Sequence, residues 1–576
     1  MILQALTQYY DALNSRGEID APGWGRPKIS YALQLRENGE LAQVIPLLHE
    51  VDAGKKKVLR PREDIRLPAA VKRTANPKSN FLWDNTAYLL GIDGKGKPDL
   101  TAKCFATAVL LHHELLDDVD SPFSHAVLAF FDTWQPAEAA QHPALVNDYD
   151  KIIAGANLVF YVNGQYPADD PAICAAWPAH YDGDSDAPKP QCLVTGELDE
   201  IAAVHPAIKG VRDAQSSGAA LVSFNAPAFC SYGHEQNYNA PVGKHAAFAY
   251  TTALNHLLAD REHTQYIGDT TVVCWAETAE PQYTDFFSCL MGNNTQSWSD
   301  NDLSAALKHL ADSEPCQELN LDPERAFYIL GLAPNAARLS VRFFYKNTFG
   351  ELMKNVNAHY ERLKIKRPAK APTGFLPLWQ LLAETVNQSA RDKKPSPVMA
   401  GATARAVWNN DRYPAALLNG VMLRIRADSE INWRRAAIIK AYYLKNEDEN
   451  CPKEVLTVSL NESSTSIPYA LGRLFSVYEA VQQAANPGIN ATIKDKYFNS
   501  ASSIPATIFP ILDKLCQKHL RKLRIDQQIY FNKQIGQIMD ILHEEYPARL
   551  NLPQQGSFDL GYYHQTQKRY TKKEDK

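Results

Sequence analysis

The sequence predicts an α+β fold in which a mixed N-terminal part precedes an all-α C-terminal helical bundle. Near the start of the chain, two runs of alternating apolar and polar residues flank Asn38-Gly39, and Asn-Gly between such runs is a signal for a β-hairpin. From Tyr469 onward, apolar residues recur at every third or fourth position, which is the spacing of amphipathic helices. With 576 residues, the chain is long enough for roughly three or four domains.

Composition divides the chain into four predicted regions. They are an α+β region over 1–110 with a basic loop, an acidic mixed α/β region over 111–340, a basic connecting region over 341–455 and a helical bundle over 456–576. Lys and Arg exceed Asp and Glu by 4 in 1–110 and by 13 in 341–576, whereas acidic residues exceed basic ones by 22 in 111–340. This asymmetry suggests a polyanionic partner for the basic parts, with an unevenly charged solvated surface as the alternative.

The expected elements follow in chain order. Apolar spacing predicts an amphipathic helix at 2–13, the hairpin lies within 28–48, and FLWDNTAYLLG at 81–91 is a strand or a buried segment. Further along we expect helices over 101–145 and 245–258, a strand at 269–277, and a strand leading into a basic helix within 331–356. Two segments are interpreted as irregular: a hairpin turn at Gly91, Gly94 and Gly96, and a frayed polar tail from Tyr563.

Several classes of protein are disfavoured by composition. No apolar run approaches the about 18 residues that a membrane-spanning helix needs. The nine cysteines include no CxxC pair, which argues against a cysteine zinc site and a disulfide framework. We therefore expect reduced thiols in a cytoplasmic protein that has no membrane partner.

No convincing catalytic motif is present, so we expect neither a cofactor nor enzymatic activity. The chain has no phosphate-binding GxxxxGK[ST] loop and no GxSxG nucleophile elbow. The most metal-like cluster is His112-His113-Glu114 with Asp117-Asp118. Adjacent histidines point in different directions on a helix, which favours a solvated helix face. A metal-dependent nuclease or other hydrolase that uses His112 and His113 is the alternative function.

Three segments have the chemistry of nucleic-acid binding. Residues 55–80 hold nine Lys and Arg against Glu63 and Asp64, in a stretch that three prolines keep out of regular helix. Residues 223–239 combine aromatic rings with amides that can stack on bases and bond their edges, or can instead satisfy the loop's own backbone. Residues 514–524 place basic side chains on one flank of a helix, where a solvated face is the alternative.

Long blocks of the sequence resemble one known family, the large signature subunit of the type I-C (Csd/Dvulg subtype) CRISPR surveillance complex, Cascade. The resemblance rests on MILQALTQYYDAL, FLWDNTAYLLG, SFNAPAFCSYGHEQNYNAPV, YTTALNHLL, GDTTVVCWAE and LSVRFFYKNTFGEL, and on YALGRLFSVYEAVQQAANPGINATIKDKYFNSASSIPATIFP. These blocks run nearly from end to end of the chain and occur in the order found in the family.

The resemblance implies a subunit that recognises the protospacer-adjacent motif (PAM) in double-stranded target DNA, helps to open the duplex and stabilise the R-loop, and recruits the helicase-nuclease. It implies as partners the crRNA, the backbone and crRNA-processing subunits and the small subunit. It further implies that the C-terminal part resembles the small subunit and is also made separately, from an internal start that we place near residues 455–460.

Residue chemistry within these blocks gives three sets of hypotheses. For the PAM duplex we predict Lys72, Arg73, Asn76, Lys78 and Asn80. Second candidates, for the PAM or the crRNA, are Asn225, Gln236 and Asn239. For the displaced strand we predict Lys514, Lys518, Arg521 and Lys522.

Overall fold

The computed structural model describes residues 1–52, 57–71, 73, 77–94, 96–182, 189–292, 298–372, 374–391, 393–543 and 546–570. The chain forms two compact units. The small unit contains Tyr10–Ala203 and Cys230–Tyr250, and the large unit contains Met1–Tyr9, Val204–Phe229 and Thr251–Lys576. The division into four regions by composition stays a prediction.

Strands are concentrated in the first two thirds of the chain. They are β1 (Trp24–Gly25), β2 (Tyr31–Leu35), β3 (Leu41–Pro46), β4 (Leu48–Asp52), β5 (Lys57–Pro61), β6 (Leu67–Pro68), β7 (Trp83–Asn85), β8 (Asn157–Val162), β9 (Gln265–Ile267), β10 (Thr270–Ala276), β11 (Ala326–Asn335) and β12 (Arg338–Thr348).

Helices occur throughout and make up nearly all the regular structure after β12. They are α1 (Ile2–Ser15), α2 (Thr86–Leu89), α3 (Pro98–Leu116), α4 (Pro122–Thr133), α5 (Tyr149–Ile153), α6 (Pro171–Asp182), α7 (Lys244–Ala259), α8 (Pro281–Leu290), α9 (Asp300–Ala311), α10 (Phe349–Leu363), α11 (Leu378–Ala383), α12 (Pro397–Trp408), α13 (Ala415–Asp428), α14 (Trp433–Asn446), α15 (Ile467–Ala485), α16 (Ile493–Ala501), α17 (Pro505–Leu520), α18 (Ile525–Leu542) and α19 (Leu552–Tyr570). The predicted α+β class is confirmed.

The small unit is built on a four-stranded mixed sheet in the order β3-β2-β8-β7. The predicted hairpin is confirmed: β2 and β3 pair antiparallel around Gly39, whose φ of +81° is a conformation that glycine adopts without strain. β8 lies parallel to β2, and β7 lies antiparallel to β8. Helices α3 and α4 add Cys104, Leu116 and Phe130 to the core that covers this sheet.

The large unit contains an antiparallel sheet in the order β12-β11-β10-β9. Every residue of β10 is buried, which explains its continuous apolar run, and Trp275 stacks on Tyr328 of β11 with ring centroids 5.3 Å apart. The strand predicted at 269–277 and the helix predicted over 245–258 are confirmed as β10 and α7. In 331–356 a β-hairpin rather than one strand precedes α10, because Ala336 and Ala337 turn the chain between β11 and β12.

The predicted C-terminal helices are confirmed, but the predicted frayed tail is wrong. Residues 563–570 continue α19, in which Tyr563 and His564 are buried. This helix packs on α15 through Phe558, which contacts Phe475, and through hydrogen bonds of its polar groups: the Tyr562 hydroxyl donates to Glu479 (2.6 Å), and His564 Nδ1 bonds the Tyr469 hydroxyl (2.9 Å).

The hairpin turn predicted at Gly91, Gly94 and Gly96 is wrong, because none of the described residues 91–94 and 96 belongs to a strand. Gly91 has a φ of +67° and ends the buried segment, but α3 begins at Pro98 soon afterwards. Proline is favoured in the first turn of a helix because its missing N–H would have no intrahelical partner there. Among the described helices of the chain, none is long and apolar enough to cross a bilayer.

Candidate nucleic-acid interface

The basic stretch after the first hairpin is an antiparallel ribbon followed by a closed loop. Strands β4 and β5 form the ribbon, in which Lys57 pairs with Glu50 (2.8 Å) and Arg60 lies opposite His49. Val58 and Leu59 are 44% and 60% exposed on the same ribbon. The sequence predicted a loop throughout this stretch, but residues 57–61 are a strand that pairs with residues 48–52.

A buried carboxylate bonds two residues of the loop at 71–80, of which the structure describes 71, 73 and 77–80. Asp84 is 1% exposed, and it accepts hydrogen bonds from the Asn80 N–H (2.8 Å), from the Asn85 N–H (2.7 Å) and from the Arg73 guanidinium. The Arg73 Nε–H donates to the Lys78 carbonyl (2.8 Å). Burial raises the pKa of the Asp84 carboxyl, while Arg73 and the two amides oppose this rise because they favour the charged form.

Two further contacts hold the same loop. The Arg73 guanidinium lies over the Tyr88 ring at 4.1 Å from its centroid, and the Asn80 Oδ1 accepts from the Val71 N–H (2.9 Å). Arg73 and Asn80 therefore bond to the protein itself, and Asn80 is only 3% exposed. Lys78 is exposed. Lys72 and Asn76 lie outside the described residues.

The segment at 223–239 is divided between the two units. In the large unit, Asn225 Oδ1 accepts from the Arg338 guanidinium, which also lies 4.2 Å from the centre of the Phe229 ring. In the small unit, Asn239 makes three hydrogen bonds: its Oδ1 accepts from the Ser231 N–H (2.7 Å), and its Nδ2 donates to the carbonyls of His234 (3.1 Å) and Gln236 (2.9 Å). The side-chain amides of Asn225 and Asn239 are thus used in hydrogen bonds within the chain, whereas the side chain of Gln236 is exposed.

The end of α17 presents an uncompensated basic face. Lys514, Lys518 and Arg521 are all exposed, and their spacing of four and three residues places them on one side of the helix. Lys522 is exposed beside them. Within the described part of the chain none of the four makes an ion pair, in contrast to Arg524, which pairs with Asp526 (2.9 Å).

The expectation of a solvated face for the histidine pair is wrong at His112. In α3 the buried positions are Thr101, Cys104, Ala108, His112 and Leu116, a stripe at helical spacing that faces the core. His112 Nδ1 bonds the Ala108 carbonyl (2.7 Å), so Nε2 is free to accept from the Leu82 N–H (3.0 Å). Burial lowers the pKa of His112 to about 4, which keeps the ring neutral.

Both ring nitrogens of His112 are occupied, so this ring has no lone pair left for a metal. His113 lies at the surface, with Asp117 at 2.9 Å and Asp132 at 3.2 Å. In the described ranges of the chain, no three His, Cys, Asp or Glu side chains are grouped so that they could hold a metal ion.

Sequence reasoning missed Asp84 as the centre of the loop and Tyr88 as the ring beneath Arg73. Asp84 lies eleven positions after Arg73, a separation that no local periodicity connects. The available signal was compositional, since the polar pair Asp84-Asn85 interrupts the apolar run FLWDNTAYLL. A buried acid beside a basic loop requires a cation, so this pair was a sign that one of the loop's arginines bonds to it.

Comparison with known proteins gives one finding that covers nearly the whole chain. A family model described as CRISPR-associated protein (Cas_Csd1) matches residues 6–570. Among curated proteins, none matches this chain. The family match includes the loop at 71–80, the segment at 223–239 and the basic face of α17.

Proposed function

The chain belongs to the Csd1 family of CRISPR-associated proteins, and we propose on that premise that it is the large subunit of a type I-C Cascade. In this role it recognises the PAM in double-stranded DNA, helps to open the duplex and stabilise the R-loop, and recruits the helicase-nuclease. Its partners are the crRNA, the target DNA, the backbone and crRNA-processing subunits, and the small subunit.

The observation that carries this proposal is the pair of contacts that buried Asp84 makes with Arg73 and with the Asn80 amide, two described residues of the loop at 71–80. Reading a short duplex motif requires a loop whose shape exists before DNA arrives, because ordering a flexible loop on binding costs affinity. Asp84 supplies that order through its bonds to Arg73 and to the Asn80 amide, and it leaves Lys78 exposed. Lys78, exposed beside an arginine whose charge Asp84 neutralises, provides a phosphate contact at a defined place.

This geometry sharpens the predicted PAM set. We propose Lys78 as a DNA contact, and we propose Arg73 and Asn80 as residues that position it. The proposals for Lys72 and Asn76 rest on residue chemistry alone. Among the second candidates, Gln236 is available to a base edge or to the crRNA, while Asn225 and Asn239 maintain their own segments.

The basic face of α17 is proposed to bind the displaced strand. Three unpaired cations on one side of a helix suit a single strand, whose phosphates lie along a flexible backbone and need no fixed groove. The adjacent start of α18 adds Ile525, Ile529 and Tyr530, which are 71%, 64% and 56% exposed and can contact unstacked bases.

We propose that the chain is not itself an enzyme and that DNA cleavage belongs to the recruited helicase-nuclease. Both nitrogens of His112 are used within the fold, which supports this proposal. Metal-dependent cleavage of DNA by the purified chain, lost in His113→Ala, would instead establish the hydrolase alternative.

We also propose that the part from about residue 456 onward is made separately as the small subunit. Helices α15 to α19 pack on one another, which supports a compact product. Intact mass spectrometry of the complex expressed from the unaltered gene should detect both the full chain and the short product. Detection of the full chain alone, with the other subunits present, would contradict internal initiation.

The whole proposal is tested by reconstituting the complex with and without this chain. Target duplexes with the native PAM and with randomised PAM positions are compared at one salt concentration, because affinity for DNA depends strongly on salt. We expect tight binding only when both the chain and the native PAM are present. Equal binding in the absence of the chain would overturn the proposal.

A further inference from the structure

Tyr232 occupies the tip of a tight turn where an aromatic side chain is costly. The His234 N–H donates to the Ser231 carbonyl (3.0 Å), which closes a four-residue turn. The two central residues, Tyr232 and Gly233, have φ values of +53° and +76°. Positive φ at both central positions is the pattern of a type I′ turn, in which Gly, Asn and Asp are the favoured residues.

The cost is not recovered through contacts within the fold. Tyr232 is 99% exposed, so its ring packs on almost nothing. A residue with a Cβ in the left-handed region stores strain, and such strain concentrates at binding sites. The surrounding structure must therefore hold Tyr232 in this conformation. Because the ring makes almost no contact within the chain, any function it has lies in a contact with another molecule.

Asn239 holds the turn in that strained shape. Its Oδ1 accepts from the Ser231 N–H, and its Nδ2 donates to the carbonyls of His234 and Gln236. These bonds fix both ends of the turn that carries Tyr232. The loop thus presents a planar, amphipathic ring on a rigid support, which is what a stacking platform requires, because little entropy remains to be lost on binding.

The exposed polar side chains around the ring can bond the edge of a nucleobase. Between 230 and 239, Glu235 is the only acidic residue, and Lys and Arg do not occur, so the loop offers no basic contact for phosphate. Gln236 and His234 are exposed beside the turn and can bond a base edge. Every base has a π-face, so a single ring serves any sequence.

We propose that Tyr232 stacks on one unpaired nucleobase, from the crRNA or from an opened DNA strand. This inference rests on the proposed role in a crRNA-guided complex, but it concerns a different segment from the loop at 71–80. The ring supplies the contact, and Asn239 is the residue that positions it.

The test isolates the base from the phosphates. Full-length chain is titrated with labelled single strands of thymidine DNA and uridine RNA, and with abasic strands of equal length that keep the same phosphates. Base stacking on an aromatic ring should make the base-bearing strand about five-fold or more tighter than its abasic match. The arm that shows this ratio, DNA or RNA, identifies the source of the base.

Two substitutions at the same position separate the ring from the fold. Tyr232→Gly relieves the positive-φ strain, so its melting temperature should equal or exceed that of the parent chain. The ratio of affinities should fall to the lower value that the apolar and aromatic side chains at the start of α18 sustain by themselves. Tyr232→Trp should keep the ratio. Tyr238→Ala is the matched control, because Tyr238 is 48% exposed in the same loop and lies outside the strained turn.

An unchanged ratio in Tyr232→Gly would overturn the proposal, as would loss of the ratio in Tyr238→Ala instead. If Tyr232→Gly keeps the ratio but loses the helicase-nuclease from the assembled complex, the proposal is likewise overturned and the ring is a protein contact. A ratio that depends on Tyr232, in a chain that fails the PAM experiment, would support the stacking site while contradicting the proposed function.

Discussion

The loop at 71–80 and the end of α17 both carry clustered cations, but the fold treats them differently. In the loop, the charge of Arg73 is compensated by buried Asp84, and Lys78 is exposed. On α17, Lys514, Lys518 and Arg521 are exposed and make no ion pair with the residues that the structure describes. In the described residues of the loop, the charge of Arg73 is therefore used within the fold to fix the positions of Arg73 and Asn80, while α17 keeps its charges exposed on a regular helix.

Under the proposed function, this difference predicts two kinds of contact with nucleic acid. A fixed shape with few free charges suits a site at which position determines specificity. A row of free charges suits a strand that is bound along its backbone irrespective of sequence. The comparison predicts that perturbing the loop changes folding first, whereas perturbing the helix changes binding alone.

The largest expected effect is on the pH dependence of the free energy of unfolding, through His112, which bonds the backbone of Leu82 next to the loop. His112 accepts from the Leu82 N–H in the folded chain, and its pKa there is about 4 against 6.5 when it is exposed. Above pH 6.5 both states are neutral; as the pH falls from 6.5 toward 4, only the unfolded state takes up the proton. The free energy of unfolding should fall by about 3 kcal/mol over this window from His112 alone.

His112→Gln tests this pH dependence, since the amide can still donate and accept. Urea unfolding and hydrogen exchange of residues 81–91 are measured at several pH values. The stability difference between parent and variant should shrink as the pH falls, while His125→Gln, at an exposed position, should track the parent. A constant difference between the parent chain and His112→Gln at all pH values would contradict the burial account.

The next effect is the loss of the buried carboxylate. Asp84→Ala leaves the Asn80 amide and Arg73 without their acceptor, and we expect a loss of about 2 kcal/mol, reduced from that of a fully buried pair because Arg73 is 32% exposed. The control is Asp64→Ala, which breaks the exposed pair with Arg62 and should cost less than about 0.5 kcal/mol. Thermal unfolding measures both, and equal losses would remove the distinction between the two pairs.

On α17 we expect an effect on binding without one on stability. The triple substitution of Lys514, Lys518 and Arg521 by Ala should flatten the salt dependence of single-strand binding by about 2 units, at about 0.7 for each lost phosphate contact. The control replaces three lysines of the same unit that are already paired with Glu351, Glu361 and Glu447, namely Lys354, Lys364 and Lys453. If both triples flatten the slope equally, no specific strand path along α17 exists.

Local pattern accounts for what the sequence predicted correctly. The hairpin at 31–46, the strand at 270–276 and the C-terminal helices follow from periodicity and turn residues within short windows. The buried polar helix α19 did not follow, because its partners Glu479 and Tyr469 lie on α15, more than eighty residues earlier. Apolar periodicity cannot reveal a helix whose polar groups are satisfied by another helix.

For the candidate site, the sequence could predict only which segments carry side chains suited to nucleic acid. The basic and amide-rich segments were identified from composition, but composition cannot tell which cation or amide the fold uses. Arg73, Asn80 and Asn239 carry the same kinds of polar group as Lys78 and Gln236, yet the side chains of the first three bond to other parts of the fold. Lys78 and Gln236 are exposed, and neither side chain makes a hydrogen bond to the residues that the structure describes. That division depends on tertiary partners such as Asp84, and only the structure provides them.

The most direct measurement of this division is the salt dependence of PAM-duplex binding in the reconstituted complex. Lys78→Ala should flatten the slope by about 0.9 unit, as expected for one lost phosphate contact. Asp84→Asn, which keeps the shape of the side chain but releases the charge of Arg73, should steepen the slope by a similar amount and reduce the preference for the native PAM. If Asp84→Asn leaves both the slope and the preference unchanged, or if Lys78→Ala has no effect, the loop is not the pre-formed DNA contact described above.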